Sequence, residues 1–210
     1  MTSTLSRIRD VIRHGLLLQT LLDLLRRLGL EITPYYLVEE SLDWLPPDPP
    51  ETQVPDLIMC LLEPADAAAV AAMPEGDLTE AEARGRLEQG LWGFGAWSRG
   101  ELIAFAWAHL RELDFEPCRR RLAEDEAYLF GAKTSRRYRG MNLHPVLRRE
   151  MYARLAERGR TRLISISYAL NRPAVRFKQK LGARFTRLCL STSVRGRCRR
   201  NWLVRRSPAD

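Results

Sequence analysis

Leu17, Leu18, Leu21, Leu22, Leu25 and Leu28 recur three and four residues apart, which predicts a helix over residues 5–28 that Gly29 can stop. "YYLVEESL" (35–42) reads as a strand. "WLPPDPPETQVPD" (44–56) must be loop, because proline lacks the donor that a strand ladder needs. "LIMCLLE" (57–63) is a further strand. "PADAAAVAAM" and "LTEAEARGRLEQG" read as helices, the second opened by a capping box of Thr79 and Glu82 and ended by Gly90. "LWGFGAWSRG" and "ELIAFAWAHLREL" form a hairpin that turns at "SRGE". Then come a strand at 126–135, a helix from about Pro145 to Arg158, a strand at 162–170 and a helix at 172–182. That last helix has Pro173 in its first turn and Gly182 at its end. "ARFTRLCLSTSV" and "RNWLVRR" close the chain as two strands around "RGRCRR". The strand–helix–strand unit at 126–170 predicts a parallel pair, since the helix supplies the crossover.

A chain of 210 residues that is 45% hydrophobic suits one compact α/β domain with some attached structure. The formal net charge is +8, and it is carried almost wholly by arginine, since Lys133, Lys178 and Lys180 are the only lysines. An arginine surplus favours phosphate-bearing partners: nucleotide cofactors, nucleic acid or anionic membranes. Arg-rich genomic composition produces the same excess. Cys60, Cys118, Cys189 and Cys198 are scattered, so no zinc site is expected and the thiols read as reduced in a cytoplasmic protein. The apolar run at 16–25 is too short for a membrane span and is broken by Gln19 and Asp23. Arg7, Arg9, Arg13, Arg26 and Arg27 make the first helix basic. Its leucines are expected to pack on the domain or on a second subunit; lying on an anionic membrane is the other reading.

The chemistry centres on "SRRYRGMNLHPVLRREMYARL" (135–155), where a strand feeds an arginine- and glycine-bearing loop and then a helix. The first helical turn presents unpaired N–H groups and the positive end of the dipole, so it can take a pyrophosphate. Gly140 lets the backbone approach a ligand closely. The pattern is neither G-x-G-x-x-G nor a Walker loop.

"YRGMNLHPVL" resembles the pyrophosphate-binding stretch of the GNAT N-acetyltransferase superfamily, usually Y-R-G-x-G-x-G before an aliphatic helix. "NRPAVRFKQKLGARF" is similar to the family's N-x-x-A-x-x-x-Y-x-K-x-G-F segment, and "TRLISISYAL" stands in the place of its fifth strand. The resemblance covers roughly residues 57–205. Two family glycines fall on Asn142 and His144. Asn tolerates the left-handed conformation, and His144 with Pro145 reads as N-cap and first helical residue. An aromatic residue followed by proline resembles the branch found in polysaccharide loci. The family's frequent tyrosine, often the acid for the departing thiolate, falls on Lys178.

The resemblance implies an α+β fold with a central mixed, mostly antiparallel sheet, helices on both faces and a splay between the family's fourth and fifth strands. Residues 1–34 are then an N-terminal helical extension and residues 35–210 the acyltransferase domain. It also implies an acetyl-CoA or other acyl-CoA donor, no metal, and a small-molecule amine acceptor such as an amino sugar or amino acid derivative. The main chain of Ala132 and Thr134 would meet the pantetheine. Arg139, Gly140, Met141, Asn142, Leu143 and His144 would hold the pyrophosphate, and Asn171 would face the coenzyme arm. Glu126 is the candidate base, if burial raises its carboxyl. Tyr128 is a candidate acid or substrate contact, and Lys178 is a third option if desolvated. His109 could also serve as a base; His14 receives no role. A non-catalytic binder of acyl-CoA or of a protein partner is the alternative, suggested by His144 and Lys178 at motif positions. A homodimer through the leucine-rich helix is compatible with either reading. The C-terminal arginines around Trp202 equally suit nucleic acid or an edge strand that repels pairing.

Overall fold

The computed structural model describes residues 16–47, 51–196 and 198–206. The chain divides into two compact units. One comprises Met1–Leu37, Ser167–Arg176 and Phe185–Asp210; the other comprises Val38–Ile166 and Phe177–Arg184.

In the first unit, helix α1 (Leu16–Arg27) leads through Gly29, at φ 85, into strand β1 (Leu30–Glu40), whose last three residues belong to the second unit. The strand begins five residues before the position expected from sequence and carries Pro34, whose carbonyl accepts from the amide of Ala169. Residues 5–15 of the expected first helix lie outside the described residues. Strands β9 (Arg184–Val194) and β10 (Cys198–Arg206) pair antiparallel, and β9 also neighbours β1. The Tyr35 hydroxyl donates to Asn201 Oδ1 at 2.9 Å. Leu21, Leu24 and Leu28 are exposed.

The second unit is built on the strand order β8–β7–β4–β3–β2: β2 (Leu57–Leu61), β3 (Trp92–Ser98), β4 (Glu101–His109), β7 (Glu126–Thr134) and β8 (Arg162–Tyr168, through Ile166 in this unit). All neighbours are antiparallel except β7 and β8, which are parallel, as the crossover through α4 (Leu143–Ala156) requires. The β3–β4 turn places both Arg99 (φ 51) and Gly100 (φ 79) in the left-handed region, the twist a two-residue hairpin favours. A short pair precedes β7: β5 (Glu112–Leu113), which sequence patterning joined to the strand before it, and β6 (Arg120–Arg121), which it did not mark. Two residues each are too few to show alternation.

Strand β4 sorts its side chains by size. Ala104, Ala106 and Ala108 lie in one core with Leu143, Leu147, Met151 and Leu155 of α4. Phe105 and Trp107 point the other way, into a second core with α2 (Ala67–Ala72) and α3 (Glu80–Glu88). Helices therefore cover both faces, and the small residues let α4 approach its face closely. The capping box of Thr79 and Glu82 forms as the sequence predicts. No helix among the described residues is long and apolar enough to cross a membrane.

The final helix, α5 (Arg172–Lys180), ends before Gly182, which sits at φ 70 with the Trp44 carbonyl oxygen in the space a Cβ would need. Any Cβ there collides with that oxygen in a conformation that already disfavours side chains. Gly182→Ala is expected to cost about 2–4 kcal/mol in urea unfolding. Gly85→Ala, in α3 with open space around the new methyl, is expected to stabilise by about 0.5–1 kcal/mol.

Candidate active site

The parallel pair β7–β8 stops short. Residues pair from Glu126 with Arg162 to Leu129 with Ser165, and β7 then runs on to Thr134 without β8 beside it. The opposite edge of β7 carries an irregularity of its own. There Ala106 of β4 faces two residues, Gly131 and Ala132, between the Trp107–Phe130 and Phe105–Lys133 pairs. Such a bulge bends and twists the strand that carries it. Gly131 takes φ 59 to make it, and a Cβ there would stand 2.9 Å from Trp107 Cδ1. Beyond Leu129 no further β7–β8 pair forms among the described residues, which leaves main-chain groups of β7 for another partner. The amide of Ser135 faces β4, donating to Ile103, so strand alternation turns the Thr134 main chain away from β4. The Thr134 carbonyl accepts from Arg139 Nε at 3.3 Å.

The loop that follows is pinned by its side chains and carbonyls. Tyr138 and Leu143 are buried in the α4 core, and Met141 packs against it. The Met141 carbonyl accepts from the Thr52 hydroxyl at 2.9 Å, and Asn142 Nδ2 donates to the Glu51 carbonyl at 3.4 Å. Gly140 (φ 81) and Asn142 (φ 54, ψ 19) are both left-handed, the conformation anticipated for Asn142. Among the described residues, no protein acceptor stands at the N–H groups of Gly140, Met141 and Asn142. Their amides and the dipole end of α4 suit an anionic ligand.

One expectation here is corrected. Asn142, not His144, is the N-cap, and α4 begins at Leu143, which puts Pro145 at the third helical position. Proline fits there because that N–H would have no helical partner. His144 instead packs against Phe177 in a tilted ring pair, with centroids 4.9 Å apart, and its Nδ1 is buried without a partner. Burial, with the Arg148 charge beside it, pushes the imidazole from 6.5 down to about 3.

Glu126 is 3% exposed but is not a free base. Arg120 grips both its oxygens, at 2.6 and 2.9 Å, the Ala123 amide donates to it, and Arg162 stands 3.4 Å away. The Arg120 hydrogen bonds, above all, outweigh burial and hold its carboxyl below the usual range, opposite to what a base needs. Tyr128 is buried before the splay opens, its ring stacked on Phe130. His109 Nδ1 accepts the amides of Arg111 and Glu112, and burial lowers its proton affinity. Asn171 Oδ1 accepts from the Ala174 amide and so caps α5.

Lys178 lies where the two strands part. Its Nζ donates to Ser165 Oγ at 2.7 Å and to the Ile166 carbonyl at 3.0 Å, the first β8 residue past the last pair. The Glu40 carboxylate, from the end of β1, is 3.9 Å away. Burial lowers Lys178 from 10.5 to about 8; Glu40 opposes this and Arg148 adds to it. Glu40 is 2% exposed and accepts from the hydroxyls of Ser165 and Tyr152. Burial would raise its carboxyl, but Arg148, Lys178 and these two donors together hold it below the carboxylate norm. Sequence reading found Lys178 but missed Glu40, Arg148, Tyr152 and Ser165. Their signal was a charge or hydroxyl on an otherwise apolar face. Among the described residues, no three His, Cys, Asp or Glu side chains gather as metal ligands.

No protein-family model and no curated protein matches this sequence. Solved structures match in fold. A protein from Novosphingobium aromaticivorans described as a GNAT-family acetyltransferase is 24% identical with a TM-score of 0.53, over 78% of this chain and 66% of that one. A GCN5-related N-acetyltransferase from Sphaerobacter thermophilus is 15% identical with a TM-score of 0.57, over 84% of this chain and 56% of that one. A conserved protein of unknown function from Staphylococcus epidermidis is 9% identical with a TM-score of 0.57, over 84% of this chain. The chain spans less than two thirds of the length of the first two. It has the GNAT acetyltransferase fold: mixed α+β, with a mostly antiparallel sheet.

The His144 environment makes a measurable difference. Its folded proton affinity lies below its unfolded one, so its contribution to stability is full above about pH 6.5 and is lost as pH falls toward 3. In imidazole NMR, His144 is expected to stay neutral from pH 8 to 5. A His144 that titrates near 6.5 would contradict its burial.

Proposed function

We propose that this protein is an acyl-CoA-dependent N-acyltransferase of the GNAT superfamily, passing an acetyl group to the primary amine of a small molecule. The observation that carries the reading is the parting of β7 and β8 after Leu129 and Ser165, directly before a loop of uncommitted amides. The splay supplies main-chain partners at Ala132 and Thr134 for the pantetheine amides. Arg139, Gly140, Met141, Asn142, Leu143 and His144 form the pyrophosphate cradle, with Pro145 giving no donor. The coenzyme thioester supplies an activated acyl carbon, and the chain positions it against the amine. Placing the two reactants together provides much of the rate enhancement in such a reaction.

Lys178 is the proposed acid. It stands at the strand fork, in the motif position of the family tyrosine, and an ammonium near pH 8 can protonate a departing thiolate. The amine proton passes to water, since Glu126 is held ionised by Arg120. Amino sugars and amino acid derivatives are the acceptors to screen first. A non-catalytic acyl-CoA binder is the second reading, favoured by the engagement of two Lys178 N–H groups within the protein.

Thiol release from acetyl-CoA, followed across a panel of amines, tests this. Amine-dependent turnover is expected, falling as pH rises through about 8, because the acid form is the protonated one. Lys178→Met is expected to lower kcat by about 10²–10⁴-fold with acetyl-CoA affinity retained. Tight acetyl-CoA binding without turnover on any amine would support the second reading instead.

A further inference from the structure

The second unit buries a charge cluster that the proposed chemistry does not by itself require. Glu40 comes from β1, Arg148 and Tyr152 from α4, Ser165 from β8 and Lys178 from α5. All five are 5% exposed or less. His144, one helical turn before Arg148, is a further titratable group of that helix and is neutral. Tyr152 and Ser165 each give a hydroxyl hydrogen to Glu40, so its oxygens act as acceptors and the carboxylate is ionised. Arg148 is 2% exposed, and its Nε and Nη1 have no hydrogen-bond partner.

Charge counting then decides what can happen. One carboxylate faces two cations, and a net positive charge buried away from water is costly. Arginine cannot lose its proton inside a protein, whereas lysine can. Lys178 is therefore the group through which the excess charge is relieved. Two of its three N–H bonds are committed, to Ser165 Oγ and the Ile166 carbonyl, and Glu40 at 3.9 Å is beyond hydrogen-bond reach. The third N–H has no acceptor among the described residues.

We propose that Glu40, Ser165 and Arg148 are positioning residues for the acyl transfer: Glu40 and Ser165 hold the Lys178 ammonium at the strand fork, and Arg148 competes for the Glu40 charge so that the ammonium can release a proton to the leaving sulfur. This rests on the acyltransferase reading above. In the step, the amine nitrogen bonds to the thioester carbon and the carbon–sulfur bond breaks with its electron pair going to sulfur. Sulfur takes the uncommitted Nζ proton, the amine nitrogen gives one proton to water, and Lys178 is recharged from solvent. Amine and thioester become amide and thiol.

Only three lysines occur in the chain, so protein labelled with carbon-13 at lysine Cε shows three resonances, and Lys178 is identified by its loss in Lys178→Met. In the full chain, Arg148→Met is expected to raise the Lys178 titration midpoint and Glu40→Gln to lower it, each by about one pH unit or more. The descending limb of the kcat profile is expected to move the same way in each variant, and Arg148→Lys to return it toward the wild-type position. A merely structural role would change stability without moving the limb in opposite directions. If Glu40→Gln does not fold, the Arg148→Met and Arg148→Lys pair carries the test. Midpoints that stay put, or a limb that stays while the midpoints move, would overturn the proposal. Midpoints that move in a protein releasing no thiol would refute the acyltransferase reading, and with it the catalytic part of this inference, while leaving the charge coupling standing.

Discussion

Backbone groups inside a protein must find partners, and the structure turns on one place where a strand gives up its neighbour. After Leu129 and Ser165, β7 and β8 no longer bond to each other. Three features stand around that break. The bulge at Gly131 and Ala132, opposite Ala106, bends β7 away. The β8 carbonyl at the fork, Ile166, is taken by Lys178. The loop after β7 arrives with its amides uncommitted, because the 51–52 segment holds it through the Met141 carbonyl and the Asn142 side chain. The β7 main chain past Leu129 and the amides of Gly140, Met141 and Asn142 are left for other partners, which an extended diamide and a pyrophosphate would satisfy.

Behind the fork lies the opposite situation, where charge is buried rather than backbone exposed. Glu40, Arg148 and Lys178 stand in a cluster too dry to leave any of them indifferent to the others. The cost of burying such groups is accepted in proteins when it fixes a geometry or a proton affinity. A buried lysine at the fork can be an acid if its proton is loosened. Burial and Arg148 loosen the proton of the Lys178 ammonium. Glu126, by contrast, shows that a buried carboxylate is no base when a bidentate arginine satisfies it.

Much of this was legible in the residues. The apolar periodicity of α4, the aromatic-rich pattern of β4 and the glycine stops marked the elements, because each depends on local pattern. Asn142 was readable as a left-handed residue from its chemistry. The start of α4 was misjudged by two residues because Pro145 suits the first turn at more than one position, and the choice was made by Asn142 and Leu143 packing. The bulge was not readable, since Gly131 declares flexibility but not the Ala106 partner that needs it. Nor was the cluster: Glu40 and Arg148 are 108 positions apart in sequence, and only the tertiary fold makes them neighbours. Their trace in sequence is slight. Glu40 shares a strand face with buried Val38, and Arg148 falls between Leu147 and Met151 on the buried side of its helix.

The claim that the fork and its loop form a coenzyme site is tested most directly by calorimetric titration with acetyl-CoA, beside an Asn142→Asp variant. Aspartate keeps the left-handed conformation accessible but sets a negative charge at the head of α4, where the pyrophosphate would lie. The account requires saturable binding by the wild-type protein, weakened about tenfold or more in the variant. Binding that the aspartate leaves unchanged, or no binding at all, would contradict it.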